Sequence, residues 1–327
     1  MQVKVLVTGG AGFIGSFLTQ YYEKSGETVT ILDNFTTGSL QNLDAIDFKG
    51  ISVRGDIRDS YLVDELVRES ELVIHMAAAL GVSNIMNSTM ESISVNITGS
   101  EIVLKAASKH KKRLLIASTS EIYGKNPKQP LSEEDDRVIG TPQNIRWSYS
   151  DAKAIEEAMA RTLNINDGLE VTTIRFFNTV GPRQTGRYGM VIPKLVRSAL
   201  KNEDLLVHGD GSQSRVFCHV EDAISAVTQL VETKESIGEV YNVGGIGEVT
   251  INELAERIIL RAKSNSKIRF IPYKEVYPVG FEDMQRRVPD ISKISSFIGW
   301  KPSRDLDQII DDVVEYQSRI LDSGAEK

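Results

Sequence analysis

Cysteine is nearly absent from this chain: 327 residues carry only Cys218, so no intrachain disulfide and no multi-cysteine zinc site can form. Histidine is scarce as well, at positions 75, 110, 208 and 219, and none is spaced like a ligand pair, so no metal is expected. There is no run of the roughly 18 apolar residues that a membrane span requires. The opening MQVKVLVTGGAGFIGS lacks the basic leader and cleavage box of a signal peptide, so a cytoplasmic protein is expected. Strong charge is missing too. Against 45 acidic residues stand 38 basic ones, and a net charge of −7 argues against nucleic acid or anionic membranes as partners. An anionic substrate therefore needs a local cluster of cations. No repeat or low-complexity linker interrupts the chain, and a 41% hydrophobic content is enough to bury a sizeable core.

What is present is an alternation of short apolar runs with helical periodicities. VKVLV (3–7) reads as a strand buried on both faces, followed by a glycine-rich turn and a helix from Ile14 to Lys24. TVTILD, ISVRGD, ELVIHMAA, KRLLIAST and EVTTIRFF read as further strands. Between them SYLVDELVRES, ESISVNITGSEIVLKAASKH and YSDAKAIEEAMARTL read as helices. This order predicts an α/β fold, a doubly wound parallel sheet of Rossmann type, with a second, smaller α/β substrate lobe. The Rossmann part is expected over 1–178 and 216–240, and the substrate lobe over 179–215 and 241–327.

Gly9, Gly12 and Gly15 stand between the first strand and the first helix. Glycines there permit a tight turn and let a pyrophosphate approach the N–H groups of a helix N-terminus. Asp33 ends the second strand 18 residues after Gly15, where a carboxylate accepts the hydroxyls of a ribose diol and repels a 2′-phosphate. NAD is therefore the expected cofactor. Asp56, Ile57 and Ala77 to Ala79 lie at the ends of the third and fourth strands, where a doubly wound sheet binds its ligand. The expected cofactor set is Gly9, Gly12, Phe13, Ile14, Gly15, Asp33, Asn34, Asp56, Ile57, Ala77, Ala78, Ala79, Asn96, Tyr149 and Lys153.

Tyr149 and Lys153 lie four apart at the start of a helix, and Thr119 ends the preceding strand. A phenol titrates near ~10, so it serves as a base only where a neighbouring ammonium and a positive nicotinamide ring favour the phenolate.

TGGAGFIGS, STSEIYG, YSDAK, RFFNTVGPR, GDGSQSRVFCHVED and YNVGG, in that order, resemble the motifs of the extended short-chain dehydrogenase/reductases that act on nucleotide sugars. The resemblance implies hydride removal from sugar C4 to NAD, with Tyr149 as base, Lys153 as its electrostatic partner and Thr119 as a hydrogen-bonding aid. It implies a homodimer formed through the helices around Asn96–Lys109 and Ser150–Leu163. It also places Asn178 and Arg215 near the nucleotide diphosphate, with Ser120, Arg187, Val191 and Arg287 as further substrate contacts. Arg183 is either a ligand contact or a brace between lobes.

The second step is read from Ser120-Glu121. Sugar 4,6-dehydratases usually carry Asp-Glu there, and Ser120 cannot supply a carboxylic proton. The Ser-Glu pair, RWSYSDAK (146–153) and GFEDMQRRVPDI (280–291) resemble UDP-glucuronate decarboxylases instead, with Glu121 and Arg287 joining the catalytic set. A UDP-linked sugar, decarboxylated from UDP-glucuronate to a UDP-pentose, is the expected substrate. A UDP-sugar 4-epimerase is the alternative. Two plainer readings stay open: Glu121 as a turn cap, and Arg286-Arg287 as a solvated pair meeting Asp283 and Asp290.

Overall fold

The computed structural model describes residues 2–186, 190–277, 282 and 284–324, with backbone only for 82–84. Val5, Leu6 and Val7 are buried together, which a strand achieves only in the interior of a sheet covered on both faces. They belong to β1 (Lys4–Thr8), followed by β2 (Thr28–Asp33), β3 (Ile51–Arg54), β4 (Leu72–His75), β5 (Arg113–Thr119), β6 (Val171–Phe176) and β7 (Val240–Val243). The seven pair in the order β7-β6-β5-β4-β1-β2-β3, and every pair is parallel. The chain winds outward from β1 in one direction and from β4 in the other. Sheets of this kind bind ligands at that reversal, beyond the carboxyl ends of the strands.

Among the described residues, the α-helices of ten residues or more are α1 (Phe13–Lys24), α2 (Ser60–Glu69), α3 (Ser100–Lys109), α4 (Ser148–Asp167), α5 (Val191–Leu200), α6 (Val220–Glu232), α7 (Ile251–Arg261) and α8 (Leu306–Asp322). Residues of α1 and α6 share one apolar core with the sheet, through Leu18, Tyr22, Ile224 and Val227. On the opposite face, α2, α3 and α4 contribute Val63, Val67, Val103, Leu104 and Ala160 to a second core. The expected doubly wound α/β architecture is thus the observed one. A third core joins α5, α7 and α8 through Ile192, Leu254 and Ile310. Two parallel strands, Leu205–His208 and Ile268–Ile271, complete that region.

Two local differences bear on the site. The sequence reads as one helix through residues 91–110, but Ser94–Gly99 forms a wider π-turn between Thr89–Ile93 and α3. There the fully buried Asn96 donates to the Ala79 carbonyl (2.8 Å) and accepts from the Ala79 N–H (2.9 Å). A π-turn lets the helix swing a side chain inward while keeping its backbone bonded. The other difference is β7, which lies outside the strands expected from the sequence. It runs across the 240/241 boundary expected between the two lobes.

Candidate active site

The turn after β1 is shaped by close backbone approaches. Gly9 has φ +69°, and a Cβ on it would come within 2.8 Å of the Ala77 nitrogen. A Cβ on Gly15 would press into the Gly9 carbonyl. Gly12 precedes α1 and gives it no side-chain cap, so the first N–H groups of the helix meet no capping hydroxyl or carboxylate. A phosphate would find both hydrogen-bond donors and a favourable dipole at this helix end.

Asp33 closes β2 beside this turn and is 7% exposed. Its two oxygens accept from the backbone N–H of Ala11 (3.0 Å) and of Phe35 (2.8 Å). Burial pushes the carboxyl up, while these two N–H groups pull it down, leaving it above its ordinary value. The bonds fix its direction and leave lone pairs for a diol. Asn34 bonds the Thr36 N–H, and Asp56 is engaged in a fork by Arg58 at 2.9 and 2.7 Å. Ile57 is buried against Gly99. Ala77, Ala78 and Ala79 line the loop after β4 that Asn96 braces. The structure thus brings the expected cofactor residues to one end of the sheet, with Asn96 bracing the loop through its carboxamide.

Tyr149 lies in the first turn of α4, with Thr119 at the end of β5 among the groups that act on its phenol. Burial raises the phenol above its ordinary value, and the charges of Glu121 and Glu156 add to this. Arg146 and the Thr119 hydrogen bond act in the opposite direction. Lys153 lies one turn further along and is almost wholly buried. Among the described residues its Nζ donates to the Ala117 carbonyl (2.8 Å) and to Glu156 Oε2 (2.6 Å). His75 stands behind them, tied to Thr8 at 2.7 Å and to Ser100 at 3.0 Å. Burial, aided by the charge of Lys153, pushes the imidazole down to about 3, so it is neutral at physiological pH.

Glu121 sits in the short 3₁₀ turn Ser120–Tyr123 that follows β5. The buried Arg146 donates to it at 2.6 Å, and Arg287 approaches its other oxygen at 3.8 Å. Arg287 also donates to Ser120 at 3.3 Å. Burial raises the Glu121 carboxyl, but the charges of Arg146 and Arg287, the Arg146 hydrogen bond and the Arg215 charge outweigh it, holding it below its ordinary value. The reading of Glu121 as a mere turn cap is therefore too weak. The two adjacent arginines also part company: Arg286 turns outward to Glu248 (2.7 Å) while Arg287 turns into the site. Two arginines converging on this corner can hold a carboxylate or stabilise an enolate.

The sequence model of the GDP-mannose 4,6-dehydratase family matches residues 6–313. The chain belongs to this family. It is 40% identical to the UDP-N-acetyl-α-D-glucosaminuronate decarboxylase of Bacillus cytotoxicus, over 97% of its own length and 98% of the relative's. It is 33% identical to UDP-glucuronic acid decarboxylase 1 of Danio rerio, over 98% of its own length and 74% of the relative's. Among solved structures, the UDP-glucuronic acid 4-epimerase of Bacillus cereus, in complex with UDP-glucuronic acid and NAD, superposes with a TM-score of 0.86. That match has 26% identity and covers 97% of this chain and 99% of the other. The resemblance to the extended short-chain dehydrogenase/reductases is therefore borne out, with decarboxylases prominent among its relatives.

In this family member the remaining sequence expectations fall as follows. Asn178, at φ +29°, donates to the Val216 carbonyl (2.9 Å). Arg215 is buried, donates to the Ser214 carbonyl (2.8 Å) and lies within electrostatic reach of Glu121. Val191 begins α5 and packs on the third core. Arg183 lies over the Phe17 ring and donates to Gln20 (2.9 Å), both on α1, which makes it a brace between the lobe segment and α1. Arg187, Gly280, Phe281 and Asp283 lie outside the described residues. Reasoning from sequence missed two members of the site. Arg146 stands in the sequence only as part of a motif, and Glu156 lies inside a helix rich in charged residues. The signal for Glu156 was its spacing, seven after Tyr149 and three after Lys153, which puts it on their face of the helix.

Proposed function

We propose that this protein is an NAD-dependent decarboxylase of a UDP-linked hexuronic acid, working through a 4-keto sugar and returning the hydride to give a UDP-pentose. The observation that carries this reading is the corner beside Tyr149, where Arg146 and Arg287 converge on Ser120-Glu121. Tyr149 accepts the C4 hydroxyl proton, aided by Thr119. When bound in the cradle of Gly9, Gly12, Phe13, Ile14 and Gly15, with Asp33 on its ribose, NAD supplies reversible hydride exchange. A ketone at C4 lies β to the C6 carboxylate, so the C5–C6 bond breaks, carbon dioxide leaves, and the electron pair passes to the C4 oxygen. Arg287 orients the departing carboxylate, and Glu121 holds Arg287 and Arg146 in place. A proton then returns to C5. Asn178 and Arg215 are assigned to the nucleotide diphosphate.

The sugar is taken to be glucuronate. A second reading, the N-acetylated hexuronate, is favoured by the 40% identity to the Bacillus cytotoxicus relative, and the same chemistry at C4 to C6 serves both. We assign the seven-stranded region to NAD and the third core to the sugar nucleotide. Two chains are proposed to pair through α3 and α4, where Ile155 is 43% exposed. Cytoplasmic residence is part of the same proposal; among the described residues no helix is long and apolar enough to cross a membrane.

The test is to incubate the protein with NAD and, separately, UDP-glucuronate and UDP-N-acetylglucosaminuronate, following products by proton NMR and trapped carbon dioxide. Release of carbon dioxide with formation of a UDP-pentose supports the reading, and the better substrate names the sugar. Inversion at C4 without loss of mass would overturn it in favour of the 4-epimerase.

A further inference from the structure

Tyr149, Lys153 and Glu156 form one stripe along α4, and the chemistry above leaves the last of them without a task. Glu156 is 1% exposed, and one oxygen accepts from Lys153 at 2.6 Å. The other oxygen lies 3.9 Å from His75 Nε2 on β4, beside Ser100 of α3. Thr8 of β1 holds the far side of that imidazole. The next residue, Glu157, points elsewhere, toward Arg175 and Ser118. The cation that faces Glu156 is thus Lys153, His75 faces it as a neutral ring, and the negative charge of Glu157 still acts on it and raises its carboxyl. Tyr149 is in turn faced by Glu156 from its own helix, with Lys153 one turn further along, by Arg146 just before it, and by Glu121 and Thr119 from the end of β5.

We infer that Glu156 is a positioning residue for the proposed oxidation at C4: its carboxylate anchors the Lys153 ammonium against the sheet and offsets part of the positive charge that Tyr149 senses. A lysine without such an anchor would have three freely rotating donors at a buried site. With it, two of the donors are fixed, by Ala117 and by Glu156. The same negative charge works against the phenolate, in the direction already described for Tyr149. Replacing the carboxylate by an amide keeps an oxygen for Lys153 while removing the charge. Tyr149 should then ionise at lower pH. This inference rests on Tyr149 as the base and is independent of which second step follows.

The experiment uses the full chain with NAD bound and reads the first hydride transfer as nicotinamide absorbance in single turnovers, across pH. The substrate is UDP-glucuronate or its N-acetylated analogue, whichever turns over. In Glu156→Gln the acid limb of the rate profile should move down by about one pH unit. Glu156→Asp keeps the charge but withdraws it by one methylene, so its limb should fall between the two. The expected order is wild type highest, Asp next and Gln lowest, and any other order overturns the proposal. Should the Gln variant fail to fold, an Asp limb at or above that of the wild type overturns it alone. Tyr149→Phe is run beside them. If it retains the first transfer, the base assignment fails; if it loses the transfer while the Gln limb stays put, only the role of Glu156 fails.

Discussion

Glu121 is half-buried and Glu156 wholly buried, and both lie beside Tyr149, yet their surroundings drive them in opposite directions. Glu121, after β5, has two arginines within 4 Å and a third cation within electrostatic reach, and its carboxyl is held below the ordinary value. Glu156 has one lysine and a neutral histidine, and burial raises its carboxyl against the pull of Lys153. Burial raises both carboxyls; the cations around Glu121 outweigh it, whereas Lys153 does not at Glu156, where the charge of Glu157 adds to the rise. The Glu121 corner has positive charge left over for an anionic group, whereas the Glu156 corner is balanced within itself. That asymmetry is the ground on which the substrate carboxylate is proposed to lie on the Glu121 side of Tyr149.

Tyr149 stands between the two corners, and removing its hydroxyl should produce the largest effect. Tyr149→Phe is expected to lower kcat by roughly 10³-fold, within the range for loss of a general base. NAD retention, followed by absorbance after gel filtration, and Tm should remain near those of the wild type. Full activity would dissolve the comparison, because neither corner would then flank the reacting proton.

Arg146 is 2% exposed and supplies the shortest contact to Glu121. Arg146→Leu leaves that carboxylate with Arg287 at 3.8 Å as its nearest cation. The expected cost is about 3 kcal/mol in denaturant unfolding, as for a buried pair broken on one side. Combining it with Glu121→Gln should recover a large part of this loss. Additive losses would mean that the two residues do not form a pair.

Arg287→Ala should separate the two chemical steps. The first hydride transfer is expected to persist, while carbon dioxide release falls by about 10²-fold, as for removal of one preorganised cation from an electrostatic site. A transient nicotinamide absorbance that decays slowly is the expected signature. Equal losses in both steps would place Arg287 in substrate binding rather than in the second step.

Much of this was legible in the sequence because it depends on local patterns. The strand–glycine–helix order around Gly9 to Gly15, the strand-end Asp33 and the i, i+4 pair Tyr149–Lys153 are each set by a few neighbouring residues. The approach of Arg287 to Ser120-Glu121, 167 and 166 positions away, is implied in the sequence only by motif resemblance, and the fold supplies the contact. What escaped were features fixed by the third dimension. Asn96 reads as an ordinary helical residue until the π-turn brings it to the Ala79 loop. Arg146 and Glu156 lie among other charged residues, and periodicity alone cannot tell a buried charge from a solvated one. Burial of a charge is decided by its partner, and these partners come from other elements or another turn of the helix.

The smallest effect expected is a pH dependence that sets the two glutamates against each other. Glu121 has a folded-state pKa below its unfolded one, so its contribution to stability is present above the unfolded value of roughly 4.3. That contribution fades as pH falls through the lower, folded value. The difference in Tm between the wild type and Glu121→Gln should therefore be a few degrees near neutrality and shrink steadily in acid. Glu156 runs the other way, since a raised carboxyl favours the protonated fold: its contribution is present below the unfolded pKa and is lost as pH rises through the folded one. The Tm of Glu156→Gln relative to wild type should accordingly be lowest in acid and rise toward neutrality. Calorimetry of both variants over the same pH series checks this. Parallel curves would show that the cations around Glu121 do not set it apart, and the assignment of the substrate carboxylate to its side of Tyr149 would lose its basis.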